Sequence, residues 1–288
     1  HRVFGPQTSN EELHEILRPM LEIAQVEGRH VLLVGFGESG SGKTTTLYDG
    51  RRIKQRAVVE QLAYDLWPDS SQASSVWSAG ITCVEIQASG MYNLICKTAT
   101  STKQRVSFKE NSSSITPVPA DACYTDNSYM VYENSNPRRY LERQWVHSRE
   151  SFVGTVNSAL DQRDNSATSN NAQSSRGCAL LEIRLKYRDE ARGVITLIDL
   201  MGKEDFSDVG KGQAANFSAG VSNGAALWDV LKDIANHSNR AATPTKQSTA
   251  ARRHKANTRS PYKGLPLAKL VAPIKDGQVC GNGSPPYI

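Results

Sequence analysis

The sequence predicts an α/β fold of three layers, in which helices cover both faces of a central, mostly parallel sheet. Two apolar runs of strand length, residues 31–34 and 194–200, carry this prediction together with the helical patterns between them. The second run is almost continuously apolar, as expected of a strand covered on both faces. A Gly-rich segment directly follows the first run, which is typical of a strand–loop–helix unit. Nothing divides the chain into halves, so we expect a single domain over residues 1–288.

The first predicted helix spans residues 10–23, where apolar positions repeat at helical spacing after a cap at Ser9 or Asn10. Pro19 predicts a kink or a boundary within it. Residues 98–138 are rich in Ser, Thr, Asn and Pro and predict irregular chain with one short hairpin. The other predicted elements are, in chain order, a helix over 57–66, a strand over 76–86, a helix over 148–160, a polar loop over 161–173, strands over 180–185 and 194–200 joined by a charged turn, and a helix around 225–235.

Residues 37–44 fit the phosphate-loop pattern G-x-x-x-x-G-K-[ST] at every fixed position. In such a loop the glycines turn backbone N–H groups toward a phosphate chain, Lys43 reaches the β- and γ-phosphates, and the Thr44 hydroxyl ligates Mg²⁺. The alternative is a Gly/Ser turn that ends by chance in Lys-Thr, which the strand before it and the helix after it disfavour. The sequence therefore predicts binding of a nucleoside triphosphate with Mg²⁺. The candidate nucleotide-binding residues are Gly37, Glu38, Ser39, Gly40, Ser41, Gly42, Lys43, Thr44 and Thr45.

An acidic residue, Asp199, ends the second apolar run. Many P-loop enzymes place an acid at the end of a strand beside the phosphate loop, where it helps to hold the metal. Asp199 also begins a D-x-x-G pattern that ends at Gly202, in which the glycine N–H can sense the γ-phosphate. The pattern is weak alone and becomes informative downstream of a phosphate loop.

Composition excludes several classes of protein. Hydrophobic residues make up 38% of the chain, and no run of 18 apolar residues predicts a membrane span. The N-terminus lacks a signal-peptide pattern. Five cysteines without a C-x-x-C pair favour reduced thiols in a cytosolic or nuclear protein over disulfides or a zinc site.

The net charge of +5 comes from one segment near the C-terminus. Nine basic residues and no acidic residue lie between Asp233 and Asp276, and without these nine the chain has 25 basic and 29 acidic residues. A basic loop insertion at about 236–260 lies within this segment. Such a segment could bind nucleic acid, a membrane surface or an acidic protein surface, or it could be a solvated loop without a partner.

Five stretches accompany the phosphate loop: residues 3–12, Val84-Glu85-Ile86, the N-x-x-S-S-R at 171–176, the D-L-A-G-S-E-like 199–204 and Ser260-Pro261-Tyr262-Lys263. Together with the loop, and in this order, they resemble the kinesin motor domain family, in which residues 171–176 correspond to the first switch and residues 199–204 to the second. The resemblance implies a P-loop NTPase fold, ATP with Mg²⁺, and hydrolysis coupled to movement on microtubules. It implies an ion pair between Arg176 and Glu204 that forms when ATP is bound. The implied catalytic residues are Asn171, Ser174, Ser175, Arg176, Gly202 and Glu204. The implied metal ligands are Thr44, Ser175 and Asp199.

The resemblance also implies partners and location. Microtubules are the expected partner, contacted through Arg252, Arg253, Lys255 and Lys263, with a dimer or coiled-coil partner joined through segments outside this chain. The expected location is the cytoplasm and its cytoskeleton. Neither a membrane nor a nucleic acid is an expected partner of such a domain.

The sequence departs from the family mainly in the segments with which the family binds microtubules. Gly177-Cys178 replaces the family's Ser-His, Met201 and Lys203 replace Ala and Ser, and residues 220–224 do not match I-N-K-S-L. Pro266 lies where the family continues into a helix, and the family's first strand and last elements are not matched.

Two alternatives to a motor domain therefore stay open. One is a non-motor module that holds nucleotide statically and serves as a microtubule or partner-subunit anchor. The other is a P-loop NTPase of another family that binds nucleic acid.

Overall fold

A computed structural model describes residues 5, 7–38, 40–68, 76–87, 90–95, 104–106, 130–133, 136–140, 143–163, 165–166, 174–175, 177–201, 225, 227–229 and 232. The helices are α1 Asn10–Val26, α2 Lys43–Leu47, α3 Val58–Leu66 and α4 Arg149–Asp161, with a 3₁₀ turn at Arg51–Ile53. The strands are β1 His30–Gly35, β2 Trp77–Gln87, β3 Gly90–Asn93, β4 Gln104–Val106, β5 Met130–Glu133, β6 Asn136–Tyr140, β7 Gln144–Val146, β8 Asn165–Ser166, β9 Ser174–Ser175, β10 Cys178–Tyr187 and β11 Glu190–Asp199.

The main sheet has the order β1-β11-β10-β2-β3-β4, and β7 also pairs with β2. Its expected α/β character is confirmed, but the expectation of a mostly parallel sheet is wrong for the described strands. Only β1 and β11 pair in parallel among them, and the other pairs of this sheet are antiparallel. The physical reason is the length of the connections: two residues separate β10 from β11 and two separate β2 from β3, too few for the crossover that a parallel pair needs.

Helices α1, α3 and α4 pack with one face of this sheet in a shared apolar core. The α1 helix begins with a capping box, in which the Ser9 hydroxyl accepts from the Glu12 N–H while the Glu12 carboxylate accepts from the Ser9 N–H. It runs through Pro19 without ending there, so the expected boundary at that residue is not observed. Among the described residues, no helix is long and apolar enough to span a membrane.

The opposite face of the sheet is also buried and contains a charged cluster. Glu182 accepts hydrogen bonds from Arg143 at 3.0 Å and from Arg184 at 2.9 Å. Burial would raise the pKa of the Glu182 carboxyl, but the two guanidinium groups outweigh it and lower that pKa to about 2. On this face the His30 imidazole, whose pKa burial lowers to about 4, bonds to the Thr196 hydroxyl at 2.8 Å. Both faces of the central strands therefore bear buried side chains, as the apolar run at 194–200 predicted.

The less regular parts of the chain agree only in part with the elements predicted from the sequence. The hairpin expected within 98–138 corresponds to β5 and β6, which pair antiparallel and extend to Tyr140. The polar loop expected over 161–173 instead contains β8, which pairs with β9. Of the helix expected around 225–235, the described residues 225, 227–229 and 232 are helical.

Candidate nucleotide-binding site

The phosphate loop lies between the end of β1 and the start of α2, as the sequence predicts. Gly42 caps α2 with φ +89°, a left-handed conformation that a side chain would strain. The helix is short, five residues, and Tyr48 follows it with its side chain fully buried. The Tyr48 hydroxyl donates to the Leu197 carbonyl at 2.6 Å, which ties the end of this helix to β11. The loop is therefore held at both ends by the sheet.

Lys43 places its ammonium group inside the loop. Its Nζ donates to the Gly37 carbonyl at 2.8 Å and to the Glu38 carbonyl at 2.6 Å. These contacts put the positive charge where the loop backbone turns, which is the position that a phosphate chain would share. Lys43 is thus placed for the role that the sequence assigns to it.

The parallel pairing of β1 with β11 brings Asp199 to the phosphate loop. Gly35 and Asp199 are partners in the register, so the two strands end side by side. The Thr44 hydroxyl donates to Asp199 Oδ2 at 2.5 Å across 155 residues of chain. Two residues that the sequence proposes as metal ligands therefore lie in direct contact, and Asp199 is 2% exposed.

A buried arginine, Arg163, donates to the same Asp199 oxygen as the Thr44 hydroxyl. Its Nη1 donates to Asp199 Oδ2 at 3.0 Å, its Nη2 donates to the Gly177 carbonyl at 3.3 Å, and its Nε lies 3.9 Å from Glu85. Burial opposes the charged form of this guanidinium, but the carboxylates of Asp199 and Glu85 outweigh burial and raise the pKa of Arg163 above its usual value. Arg163, which follows α4 by two residues, therefore stays charged and links β2 to β11 at the site.

The sequence patterns did not identify Arg163 and Glu85 as residues of this site. Arg163 falls in a stretch that is polar throughout, so nothing local distinguishes it. Glu85 carried a usable signal, because a charged residue near the end of a strand requires a partner if the strand is buried. Its side chain is fully buried in β2.

Close packing explains why glycine, and not the serine of the family motif, occupies position 177. A Cβ on Gly177 would lie 2.7 Å from the Ile86 carbonyl oxygen and 2.9 Å from the Glu85 side chain. A serine would therefore collide with β2 in this arrangement. The glycine at 177 allows Glu85 and Arg163 to pack as they do. The next residue, Cys178, is a buried free thiol whose pKa burial raises to about 11.

The residues present fit a Mg²⁺ ion. Asp199 Oδ1 is buried and has no hydrogen-bond partner among the described residues, while the Thr44 hydroxyl lies on the other oxygen of the same carboxylate. Carboxylate and hydroxyl oxygens are the hard ligands that Mg²⁺ prefers. An unpartnered carboxylate oxygen in a buried site is the feature that a metal or its bound water would satisfy.

The structure places part of the predicted site. Gly37, Glu38, Gly40, Ser41, Gly42, Lys43, Thr44 and Thr45 form the loop and the start of α2, and Asp199 lies beside them. For Ser174 and Ser175 the backbone is described, in β9, paired with residues that follow Arg163 closely in the chain. The predicted residues outside the described ones are Ser39, Asn171, Arg176, Gly202, Glu204, Arg252, Arg253, Lys255 and Lys263.

The family model for the kinesin motor domain matches residues 1–263, which is most of the chain. The chain belongs to the kinesin motor domain family. This confirms the resemblance and the P-loop NTPase fold expected from it.

Relatives and solved structures of kinesins resemble this domain. It is 25% identical to kinesin-like protein KIN-14K of Arabidopsis thaliana over 96% of this chain and 24% of that protein. It is 23% identical to KIN-8B of the same plant over 97% of this chain and 30% of that protein. A KIF14 dimer with AMP-PNP in complex with a microtubule has a TM-score of 0.65 at 18% identity, covering 95% of this chain and 69% of that one. The kinesin domain thus spans about a quarter of the curated relatives' length.

Proposed function

We propose that this kinesin motor domain binds Mg²⁺–ATP, hydrolyses it and couples hydrolysis weakly to microtubule binding and movement. The contact of Thr44 with Asp199, with the Lys43 ammonium inside the adjoining loop, carries the proposal. KIF14 structures with ADP and with AMP-PNP, both in complex with a microtubule, support it through their shared fold. Nothing among the described residues or the comparisons favours a static, non-motor module.

Charge placement around the phosphates is the catalytic contribution of the described residues. Lys43 would hold the β- and γ-phosphates, and loop N–H groups would donate to them. Thr44 and Asp199 would hold Mg²⁺, which neutralises phosphate charge as it develops in phosphoryl transfer. Arg163 keeps the Asp199 carboxylate fixed, since one guanidinium nitrogen donates to it while the same group faces Glu85. These fixed charges would stabilise the transition state with little reorganisation.

The two switches supply the remaining groups in this proposal. Asn171, Ser174 and Ser175 would line the γ-phosphate, with Ser175 also a metal ligand, and Gly202 would sense that phosphate through its N–H. Arg176 and Glu204 would pair when ATP is bound and position the attacking water. The pairing of β9 with β8 supports this, because it brings the segment of Ser174 and Ser175 beside the one that carries Arg163.

Substitution Arg176→Ala tests the switch role. We expect turnover of ATP to fall by about 100-fold or more while the affinity for ATP changes by less than about fivefold, since the Arg176–Glu204 pair acts mainly in the transition state. Single-turnover hydrolysis and calorimetric titration measure the two quantities. The matched control is Arg192→Ala, which removes a half-buried arginine of β11 that pairs with Glu190 and should change neither quantity. Equal losses of turnover and affinity would instead assign Arg176 to the fold.

Microtubule binding is proposed for the basic segment near the C-terminus. Microtubule surfaces are acidic, so Arg252, Arg253, Lys255 and Lys263 would supply attraction that weakens as salt screens it. We expect microtubule binding to stimulate ATP turnover only weakly. Gly220, Gly224 and Pro266 fall in or near the segments expected to contact the microtubule, and each glycine lowers the stability of a helix by about 1 kcal/mol relative to alanine.

ATP turnover measured with and without microtubules tests the proposal as a whole. We expect basal turnover, little stimulation by microtubules, and co-pelleting that is lost as salt rises. In the triple variant Arg252→Ala, Arg253→Ala, Lys255→Ala we expect co-pelleting at low salt to fall at least about fivefold, since three attractive charges are lost. Turnover without microtubules is the internal check that the pocket is intact. Strong stimulation that persists in the triple variant would refute weak coupling, and absence of any turnover would refute the enzyme.

A further inference from the structure

The second residue of the phosphate loop, Glu38, is an acid that faces solvent. Among the described residues, no hydrogen bond or ion pair engages its side-chain carboxylate. Its backbone is tightly held, because the Glu38 carbonyl accepts from Lys43 Nζ at 2.6 Å and from the Ser41 N–H at 3.3 Å. A negative side chain is therefore attached to the same peptide that contacts the phosphate-binding ammonium.

The reach of the Glu38 side chain places its charge near the phosphate end of the site. A glutamate carboxylate lies roughly 5 Å from its own backbone, so it stays within roughly 8 Å of the Lys43 ammonium. In this kind of loop the lysine takes the β- and γ-phosphates. The separation between the carboxylate and those phosphates is thus about one Debye length at physiological ionic strength, and the two like charges repel each other with incomplete screening.

We propose that Glu38 is a specificity-determining residue that weakens binding of a nucleoside triphosphate relative to the diphosphate. The inference rests on the proposed function, since it concerns the same phosphate site. The γ-phosphate adds negative charge at the Lys43 end of the loop, and the diphosphate lacks that charge. Repulsion by Glu38 therefore acts more strongly on the triphosphate, and the site retains the diphosphate more readily than a loop with a neutral residue at this position.

Calorimetric titration of the full chain with Mg²⁺–AMP-PNP and with Mg²⁺–ADP tests this. In Glu38→Gln, which keeps the shape and removes the charge, we expect AMP-PNP affinity to rise about three- to tenfold at low salt. ADP affinity should change by less than about twofold. The difference between the two nucleotides should shrink as salt rises, because screening removes the repulsion.

The control is Glu22→Gln, the same change of charge at an exposed position of α1. The helix α1 ends just before β1 begins, whereas the loop follows the other end of that strand, roughly 20 Å away. Glu22→Gln should therefore leave both affinities unchanged. An unchanged ratio of AMP-PNP to ADP affinity in Glu38→Gln, or a lower one, would overturn this inference while the proposed function stands. A wild-type chain that binds neither nucleotide would overturn both.

Discussion

Lys43→Ala is expected to lower the affinity for Mg²⁺–ATP by at least about 100-fold, because hydrogen bonds to a charged group contribute about 1.5–3 kcal/mol each and 1.4 kcal/mol is a factor of ten. The structure adds a second reason for a large loss. Without the ammonium, the carbonyl oxygens of Gly37 and Glu38 that it now contacts would face the phosphates directly. Calorimetric titration, or the shift in unfolding temperature at millimolar ATP, measures the effect.

The control for this prediction is Lys186→Ala. Lys186 lies near the turn between β10 and β11, at the opposite end of β10 from the phosphate loop, and its ammonium stacks on Trp145 at 4.0 Å. Removing it takes away a lysine charge without touching the pocket, so ATP affinity should stay at the wild-type value. A Lys43→Ala variant with wild-type affinity would mean that ATP binds elsewhere or that the loop holds it through its backbone alone.

Arg163→Ala is expected to lower the free energy of unfolding by about 3–5 kcal/mol, the cost of leaving a buried charge without its partner. Arg163 is 2% exposed at its side chain and lies between two carboxylates, Asp199 at 3.0 Å and Glu85 at 3.9 Å. Its removal takes away the positive charge that both buried acids now contact. Urea unfolding followed by circular dichroism measures the loss, provided that the transition is two-state.

Two further variants separate this effect from a general loss of an arginine. Arg18→Ala removes a half-buried arginine of α1 that pairs with Glu15 at 2.9 Å and lies 3.5 Å from Asp65, and it should cost less than about 1 kcal/mol. Asp199→Asn combined with Arg163→Ala completes a double-mutant cycle, and we expect the double variant to be much less destabilised than the sum of the single variants. Additive losses, or equal losses in Arg163→Ala and Arg18→Ala, would show that the buried pair contributes little.

The sequence alone predicts the features of this chain that depend on neighbouring residues. The phosphate loop consists of contiguous residues whose backbone geometry and charge follow from their own types, so Lys43 and Gly42 are placed as expected. The helices α3 and α4 and the strands β2, β10 and β11 also lie close to their predicted bounds. Apolar spacing decides such elements locally, because a helix or strand must turn one face toward a core.

Residues expected in the switches and in the basic segment remain predictions from the sequence. Ser174 and Ser175 are described through their backbone, while Arg176, Glu204 and the basic residues from Arg252 to Lys263 lie outside the described part of the chain. The order and spacing of Arg176 and Glu204 resemble those of the family's motifs. Their side-chain geometry is the object of the substitutions proposed above.

Tertiary structure decided the direction of the strands and the surroundings of Asp199. The sequence predicted the acid, but the parallel pairing of β1 with β11 brought it to Thr44 across 155 residues. The sequence offered no local sign of Arg163, which reaches Asp199 across 36 residues and also faces Glu85. A local pattern reports only whether a residue is polar or apolar at a given spacing. Which buried charges meet depends on the order of strands in the sheet, because only that order determines which distant segments neutralise one another.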